Sequence, residues 1–439
     1  MQSLSPTRFS APIRRLAALL LAVAVAVPLQ AQPVRPAWIA TWTASPQPRW
    51  DGDFALPSNL PFQFFDQTVR QVARVSIGGP RVRVVLSNEY GTRPLRIGAA
   101  RIALAGRDGA IVPGSDRVLS FGGQAAASIP PGAPLLSDPV ELEVAPLSHV
   151  AVSLYLPEPT APSTFHWDAR QTAWVGAGNQ AGATRIAADA TLDTRVFLRD
   201  VLVEAAPGTR AVVAFGDSIT DGNMASIDAD ARWPDVLAAR LAPQGVAVLN
   251  AGISGARVLR DRMGDNALAR FERDVLAQPG VAAVVLLMGI NDIGWQDTPL
   301  GPGERSADAE ELIAGYRQLI ARARARGVRI VGGTLTPFEG ALEQTPQHGY
   351  HSAAKERIRQ QVNAWIRDGG EFDAVLDFDA LLRDPARPTR FLPAYDSGDH
   401  LHPGDAGYRA MGEAADLRLL LGGDRAPLAA PARQRRPRR

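Results

Sequence analysis

The stretch Ala211-Val212-Val213-Ala214-Phe215-Gly216-Asp217-Ser218-Ile219-Thr220-Asp221-Gly222 decides how this chain is read. Five apolar residues follow one another without alternation, the pattern of a strand buried on both faces, and they stop at a glycine and a polar turn. The same rhythm recurs downstream. Apolar runs at 246–249, 281–288, 328–331 and 375–376 alternate with helical patterns at 233–241, 263–276, 307–326, 352–367 and 404–421. Continuous apolar strands joined by helices predict a parallel sheet covered on both faces, with its chemistry at the carboxyl ends of the strands.

Upstream of Ala205-Ala206-Pro207-Gly208 the period changes. From 36 to 204 short alternating segments are separated by Gly and Pro, with strands expected at 69–77, 81–86, 101–104, 140–144, 150–156 and 196–203. Gly78-Gly79-Pro80 between the first two reads as the turn of a hairpin. Many short strands with no helical period between them predict an all-β sandwich or jelly roll ahead of the α/β part.

At 439 residues, 46% hydrophobic and 21% charged, the chain is long and apolar enough for two or three cores, which excludes disorder, collagen and a coiled coil. Its basic excess belongs to the ends. Residues 1–31 carry Arg8, Arg14 and Arg15 and no acid, so without them the net charge of +2 becomes −1; setting aside Arg433, Arg435, Arg436, Arg438 and Arg439 brings the body to −6. Nothing in the body therefore suggests nucleic acid as a partner.

Three Arg, an apolar run at 16–27 and Leu29-Gln30-Ala31 have the layout of a secretory signal peptide, too short in its apolar part to span a bilayer. Arg14-Arg15 leaves the Sec and twin-Arg export routes both open. The expected mature protein is secreted or periplasmic, with no integral membrane segment, and the Pro, Ala and Arg of 425–439 are expected to be disordered. With no Cys in the chain, disulfides, lipidated cysteine and thiolate metal sites are excluded.

Four motifs could carry chemistry. Gly216-Asp217-Ser218 is weak alone: at about 7% usage per residue type, roughly one chain in seven of this length contains it by chance. Its place after an apolar strand raises its value. Thr220 stands where the G-x-S-x-G elbow would have its second Gly, so that elbow is excluded. Asn250-Ala251-Gly252-Ile253-Ser254-Gly255 and Gly289-Ile290-Asn291-Asp292 follow the next two strands; each alone could be ordinary loop chemistry, yet backbone N–H groups and a neutral amide near a nucleophile can hold an oxyanion. Last comes Asp399-His400-Leu401-His402-Pro403. A nucleophilic Ser needs a base, and the base needs a carboxylate; Asp399 and His402 are close enough for that pairing, with Pro403 suited to the first position of the next helix.

The order Ser, Gly, Asn, Asp-x-x-His resembles the SGNH hydrolase superfamily, the GDSL esterases and lipases, all four of whose blocks are present between 210 and 421. The resemblance implies a three-layer α/β/α domain at 210–423 with a flavodoxin-like sheet. By motif it implies Ser218 as nucleophile, His402 as general base, Asp399 as its orienting carboxylate, and an oxyanion hole from the Ser218 backbone, the Gly255 backbone and the Asn291 side chain. No cofactor or metal is called for. The segment at 36–204, beginning Trp38-Ile39-Ala40-Thr41-Trp42, looks like the extra β-domain of a secreted bacterial subgroup of arylesterases and acylhydrolases. His400 stands where many relatives have a small residue, which bears on the acyl pocket.

The expected function is ester hydrolysis through an acyl-enzyme. Short acyl groups on a polysaccharide, small aryl esters and lipids stay open as substrates, and a non-catalytic carbohydrate-binding protein is the rival from another class. His348 and His351 lack a nearby acidic or Cys partner for a metal. His166-Trp167-Asp168 could stack on a sugar, but a packed Trp beside a satisfied His is the simpler reading. Asp217, Asp221 and Asp292 flank the blocks as supporting or turn residues.

Overall fold

The computed structural model describes residues 37–50, 52 and 54–422. The signal peptide expected at 1–31 and the disordered tail expected at 425–439 lie outside the described residues. Strands Ala211–Gly216, Ala247–Gly252, Val281–Leu287, Arg329–Gly333 and Ala374–Leu376 pair in parallel. Numbered along the chain, they lie in the order 2-1-3-4-5, the flavodoxin-like arrangement. From the first strand the chain goes to one side for the second and to the other for the third, so loops diverge there and leave a crevice. Gly216 lies level with Gly252 and Leu287, and three of the four motifs therefore leave the sheet at one height.

Every residue of Ala211–Gly216 is buried, as an unalternating apolar run requires. Helices Ala267–Phe271, Ala309–Ala325 and Ala353–Asp368 pack one after another on one face, while Trp233–Leu241 and Asp405–Ala414 pack together on the other. This is the three-layer α/β/α fold. The helix expected at 404–421 is two helices, Asp405–Ala414 and Leu417–Leu421. The break falls where Asp416 turns out of the helix to cap Arg418 N–H at 2.8 Å and Arg240 takes the Gly412 and Ala415 carbonyls at 2.6 and 2.7 Å.

The front region has two smaller antiparallel sheets and is built on two large ones that share one core. In one, Leu198–Ala205 lies between Ala37–Thr43 and Gly79–Ser87, and Val140–Val144 flanks the latter; the other is built around Gln67–Arg74 and His149–Leu156. Val82, Val84 and Leu86 from the first and Val150, Val152, Leu154 and Leu156 from the second are all buried. The expected hairpin around Gly78-Gly79-Pro80 is not formed. Gln67–Arg74 and Gly79–Ser87 belong to different sheets, and the residues between them cross from one to the other. The turn signal was real, but Gln67–Arg74 is buried along both faces between two other strands and has no free edge for a hairpin partner.

That crossing also closes an edge of the parallel sheet. Ser76 accepts from Val248 N–H at 3.1 Å and donates to the Thr41 carbonyl at 2.8 Å, so the outer strand Ala247–Gly252 is tied to the front region. The described residues form one compact unit. Gly78 sits where a Cβ would lie 2.1 Å from the Val144 carbonyl oxygen. Gly78→Ala is expected to destabilise the fold by about 1–3 kcal/mol; an unchanged urea midpoint would contradict this close approach.

Candidate active site

Local constraints bring Ser218 to the crevice. A Cβ on Gly216 would lie 2.1 Å from Thr220 Oγ1 and 2.5 Å from the Leu287 carbonyl oxygen, so only glycine lets the chain turn there. Asp217 then caps the single turn Ser218–Asp221 by accepting from Ile219 N–H at 3.1 Å, which makes Ser218 its first residue. Burial pushes the Asp217 carboxyl up to about 7.

The fourth motif is not at a strand end as expected. Helix Phe378–Leu382 and the hairpin of Arg383–Asp384 with Arg387–Phe391 follow the last parallel strand, and the motif lies in the loop beyond them. A bridge between Asp396 and Pro403 closes this loop, with Ser397 N–H donating to the His402 carbonyl at 3.1 Å. Pro403 is not the first helical residue either: Gly404 is the cap and the helix starts at Asp405, because Pro403 is held in that bridge.

Within the loop, Asp399 Oδ1 accepts from the backbone N–H groups of Leu401 and His402, both at 2.9 Å, and Oδ2 lies 2.6 Å from His402 Nδ1. His402 Nε2 is 2.8 Å from Ser218 Oγ. A carboxylate on one ring nitrogen assigns the proton to Nδ1 and leaves the Nε2 lone pair facing the hydroxyl. Burial opposes the charge of Asp399, yet His402 and the two backbone N–H groups outweigh it and hold the carboxyl well below the usual range. Burial likewise works to depress His402, but Asp399 first, then Asp168 and Asp217, turn the net shift upward.

The other two motifs meet this group. Gly255 has φ +76, and a Cβ there would lie 2.1 Å from Met263 Sδ. Among the described residues, neither the Ser218 nor the Gly255 backbone N–H finds an acceptor. Asn291 is buried in the turn Ile290–Gly294. Its Oδ1 receives Trp295 Nε1–H at 3.0 Å and Tyr350 O–H at 2.6 Å, and its Nδ2 donates to the Ala256 carbonyl at 2.9 Å. Two donors on one atom settle which end is oxygen, leaving the second Nδ2 hydrogen for the crevice. Asp292 accepts from Val258 and Leu259 N–H at 2.8 and 3.0 Å, although burial pushes its carboxyl up to about 6.

Trp295 and Tyr350 belong to no motif in the sequence. The one sits four residues beyond Asn291, a spacing that brings side chains together on a helical turn and could have flagged it. Tyr350 lies between the two histidines that drew attention to its segment; His348 is exposed, while His351 packs edge-on against Phe338 at 4.9 Å between ring centres. Among the described residues no three His, Cys, Asp or Glu side chains converge as metal ligands would. Lys355, the chain's only lysine, donates to the Gly294, Gln296 and Gly349 carbonyls, each at 2.9 Å, and so pins the segments carrying Trp295 and Tyr350.

The front region completes the walls. A pocket of about 150 Å³ is lined by Ser218, Asn291 and His402 together with Leu56 and Trp167 from that region. Trp167 stands on its rim, packed at 5.3 Å against Trp50, while His166 is buried with both ring nitrogens satisfied. His400 is outside this pocket. Its φ is +61, its ring is bonded to Asp396, and it lines an adjoining depression of about 440 Å³ with Glu339, Glu343, Gln344 and Arg390.

Residues 214–410 match the GDSL-like Lipase/Acylhydrolase family. A search of curated proteins returned no match. Similar solved structures include a carbohydrate acetylesterase family member from Sinorhizobium meliloti, 19% identical, spanning 49% of this chain and 100% of that one with a TM-score of 0.37. An aryl esterase from M. smegmatis is 16% identical over 47% of this chain and 96% of its own, with a TM-score of 0.37. A GDSL-like lipase from Bacteroides thetaiotaomicron is 20% identical over 47% and 85%, with a TM-score of 0.35. The matched segment, which holds Ser218, Gly255, Asn291, Asp399 and His402, gives this chain a GDSL-like lipase/acylhydrolase domain.

Proposed function

We propose that this chain is an exported serine esterase that cleaves short-acyl esters of polar alcohols through an acyl-enzyme. The observation that carries the mechanism is the row Asp399 Oδ2, His402 Nδ1, His402 Nε2, Ser218 Oγ, joined at 2.6 and 2.8 Å. His402 Nε2 takes the hydroxyl proton as Ser218 Oγ attacks the ester carbonyl carbon. Negative charge then gathers on the carbonyl oxygen, and the Ser218 N–H, the Gly255 N–H and the free Asn291 Nδ2 hydrogen are the donors available to it. His402 returns the proton to the departing alkoxide, then deprotonates a water that attacks the acyl carbon and restores Ser218.

The substrate reading is supported by the two neighbouring spaces. About 150 Å³ beside Ser218, with walls from Leu56, Met263, Leu300 and Leu401, suits a short acyl chain. The adjoining depression of about 440 Å³ offers carboxylates, an amide and a guanidinium, groups that hydrogen-bond a polyhydroxylated alcohol such as an acylated polysaccharide. Export rests on the signal-peptide layout of 1–31. Among the described residues no helix is long and apolar enough to cross a membrane.

Ser218→Ala should lower hydrolysis of p-nitrophenyl acetate by roughly 10⁴-fold or more, and activity equal to wild type would remove Ser218 from the mechanism. Across acetyl, butyryl and octanoyl esters kcat/KM should fall with length, with acetate released from acetylated xylan; a maximum at octanoyl would reverse the acyl assignment. Asn291→Ala should cost about 10²- to 10³-fold in kcat, and Tyr350→Phe, which removes one of two donors from Asn291 Oδ1, roughly 10-fold at unchanged KM. An unaltered kcat in Tyr350→Phe would separate that hydroxyl from catalysis.

Only neutral His402 can accept the proton, and its value is raised, so kcat/KM should fall as pH drops through a point above the ordinary histidine value of 6.5. Burial also pushes Asp217 up, to about 7. Because Asn still caps a helix, Asp217→Asn should keep this acid limb and move it to lower pH, having removed a negative charge that favours the imidazolium; loss of the limb would assign it to Asp217.

A further inference from the structure

The front region also reaches beneath the loop that carries Gly255. His166, in strand Thr164–His166, is 5% exposed, Asp221 1% and Ser254 2%, so the protein atoms around them must satisfy one another. His166 Nδ1 lies 2.9 Å from the Ser45 carbonyl oxygen, and its Nε2 lies 2.9 Å from Asp221 Oδ1. A carbonyl can only accept. With the carboxylate accepting as well, both ring nitrogens carry protons and His166 is an imidazolium. Burial alone would depress its value, but Asp221 and the Ser45 carbonyl reverse the sign.

Asp221 passes the contact on. It ends the turn that Ser218 begins, and its Oδ2 accepts both the backbone N–H and the hydroxyl of Ser254, each at 2.9 Å. Ser254 shares a peptide bond with Gly255. A second tether runs alongside: Asp168 accepts from Asn223 Nδ2 at 2.6 Å and lies 3.3 Å from Ser254 Oγ. Arg170, 3.6 Å from Asp168, and the buried Arg195 supply the surrounding positive charge. Without the imidazolium, a fully buried carboxylate would lose its counter-charge, and the peptide it holds would lose its anchor.

We propose that His166 is a positioning residue for ester hydrolysis: through Asp221 it fixes Ser254 and thereby orients the peptide that follows, so that the Gly255 N–H faces the oxyanion formed on Ser218. This rests on the esterase reading above and gives the front region a part in catalysis beyond walling the pocket. Glutamine cannot replace the ring, because its amide donates to one acceptor while turning its own oxygen toward the other.

The test uses the full chain as wild type, His166→Gln, Ser254→Ala and the double variant, with active sites titrated by a fluorophosphonate so that kcat is expressed per competent site. His166→Gln should lower kcat for p-nitrophenyl acetate by roughly 10- to 100-fold with KM within about twofold. It should weaken inhibition by phenylboronic acid, whose serine adduct bears a tetrahedral oxygen, by the same factor. The double variant should be no worse than His166→Gln, since both changes break one chain of contacts. A merely structural His166 would reduce the titrated fraction and leave kcat per site alone; that result, a loss confined to KM, or additive losses in the double variant would overturn the proposal. Should His166→Gln not fold, Ser254→Ala decides: roughly a 3- to 10-fold drop in kcat sustains the proposal and an unchanged kcat overturns it. An active wild type with inactive Ser218→Ala keeps the esterase reading whatever His166→Gln does, whereas an inactive wild type removes both.

Discussion

The contact between Ser218 Oγ and His402 Nε2, 2.8 Å long, joins two positions 184 residues apart in the chain. A hydroxyl is a poor nucleophile unless a base stands ready beside it, and a buried base must be held in one tautomer and one orientation. The flavodoxin-like sheet meets the first need by reversing its strand order beside Ala211–Gly216, the strand that leads into Ser218. The second is met by a loop that folds back on itself, where Asp399 gathers two backbone N–H groups and the His402 ring on one carboxylate. Placement of the remaining groups follows from these two facts.

The cost of that arrangement is polar burial. Asp217, Asp221, Asp292, Asn291, His166 and Lys355 all lie inside the protein, and each is unfavourable there unless bonded. Most are bonded to the backbone of a neighbouring loop. Asp292 holds Val258 and Leu259, Lys355 holds three carbonyls, and Asp221 holds Ser254. The same bonds that make these groups tolerable therefore hold the loops around Ser218, and the front region takes part through His166 and Asp168.

Much of this was readable in residue order. The unalternating runs at 211–215 and 281–288 mark strands whose ends carry Ser218 and Asn291, because burial on both faces leaves no room for polar alternation. Asp399 and His402 were readable because three-residue spacing on a turn is local geometry. What the order hid is what depends on distant partners. Gly78-Gly79-Pro80 has hairpin chemistry, but whether the flanking strands pair is decided by which edges are already filled. The orientation of Asn291 depends on Tyr350, and the role of His166 on Asp221, and no spacing rule links residues so far apart. His400 shows the converse: a departure next to the triad that looked relevant to the pocket points into the neighbouring depression.

If the contact between Ser218 and His402 works as proposed, Ser218 carries the acyl group during turnover. This is tested most directly by mixing the protein with p-nitrophenyl acetate, quenching in acid within the first turnover and locating the added acetyl by peptide mass spectrometry. An acetyl is expected on the peptide containing Ser218, disappearing as substrate is exhausted. Continued turnover with no adduct on that peptide, or with the acetyl on another side chain, would contradict that role for Ser218.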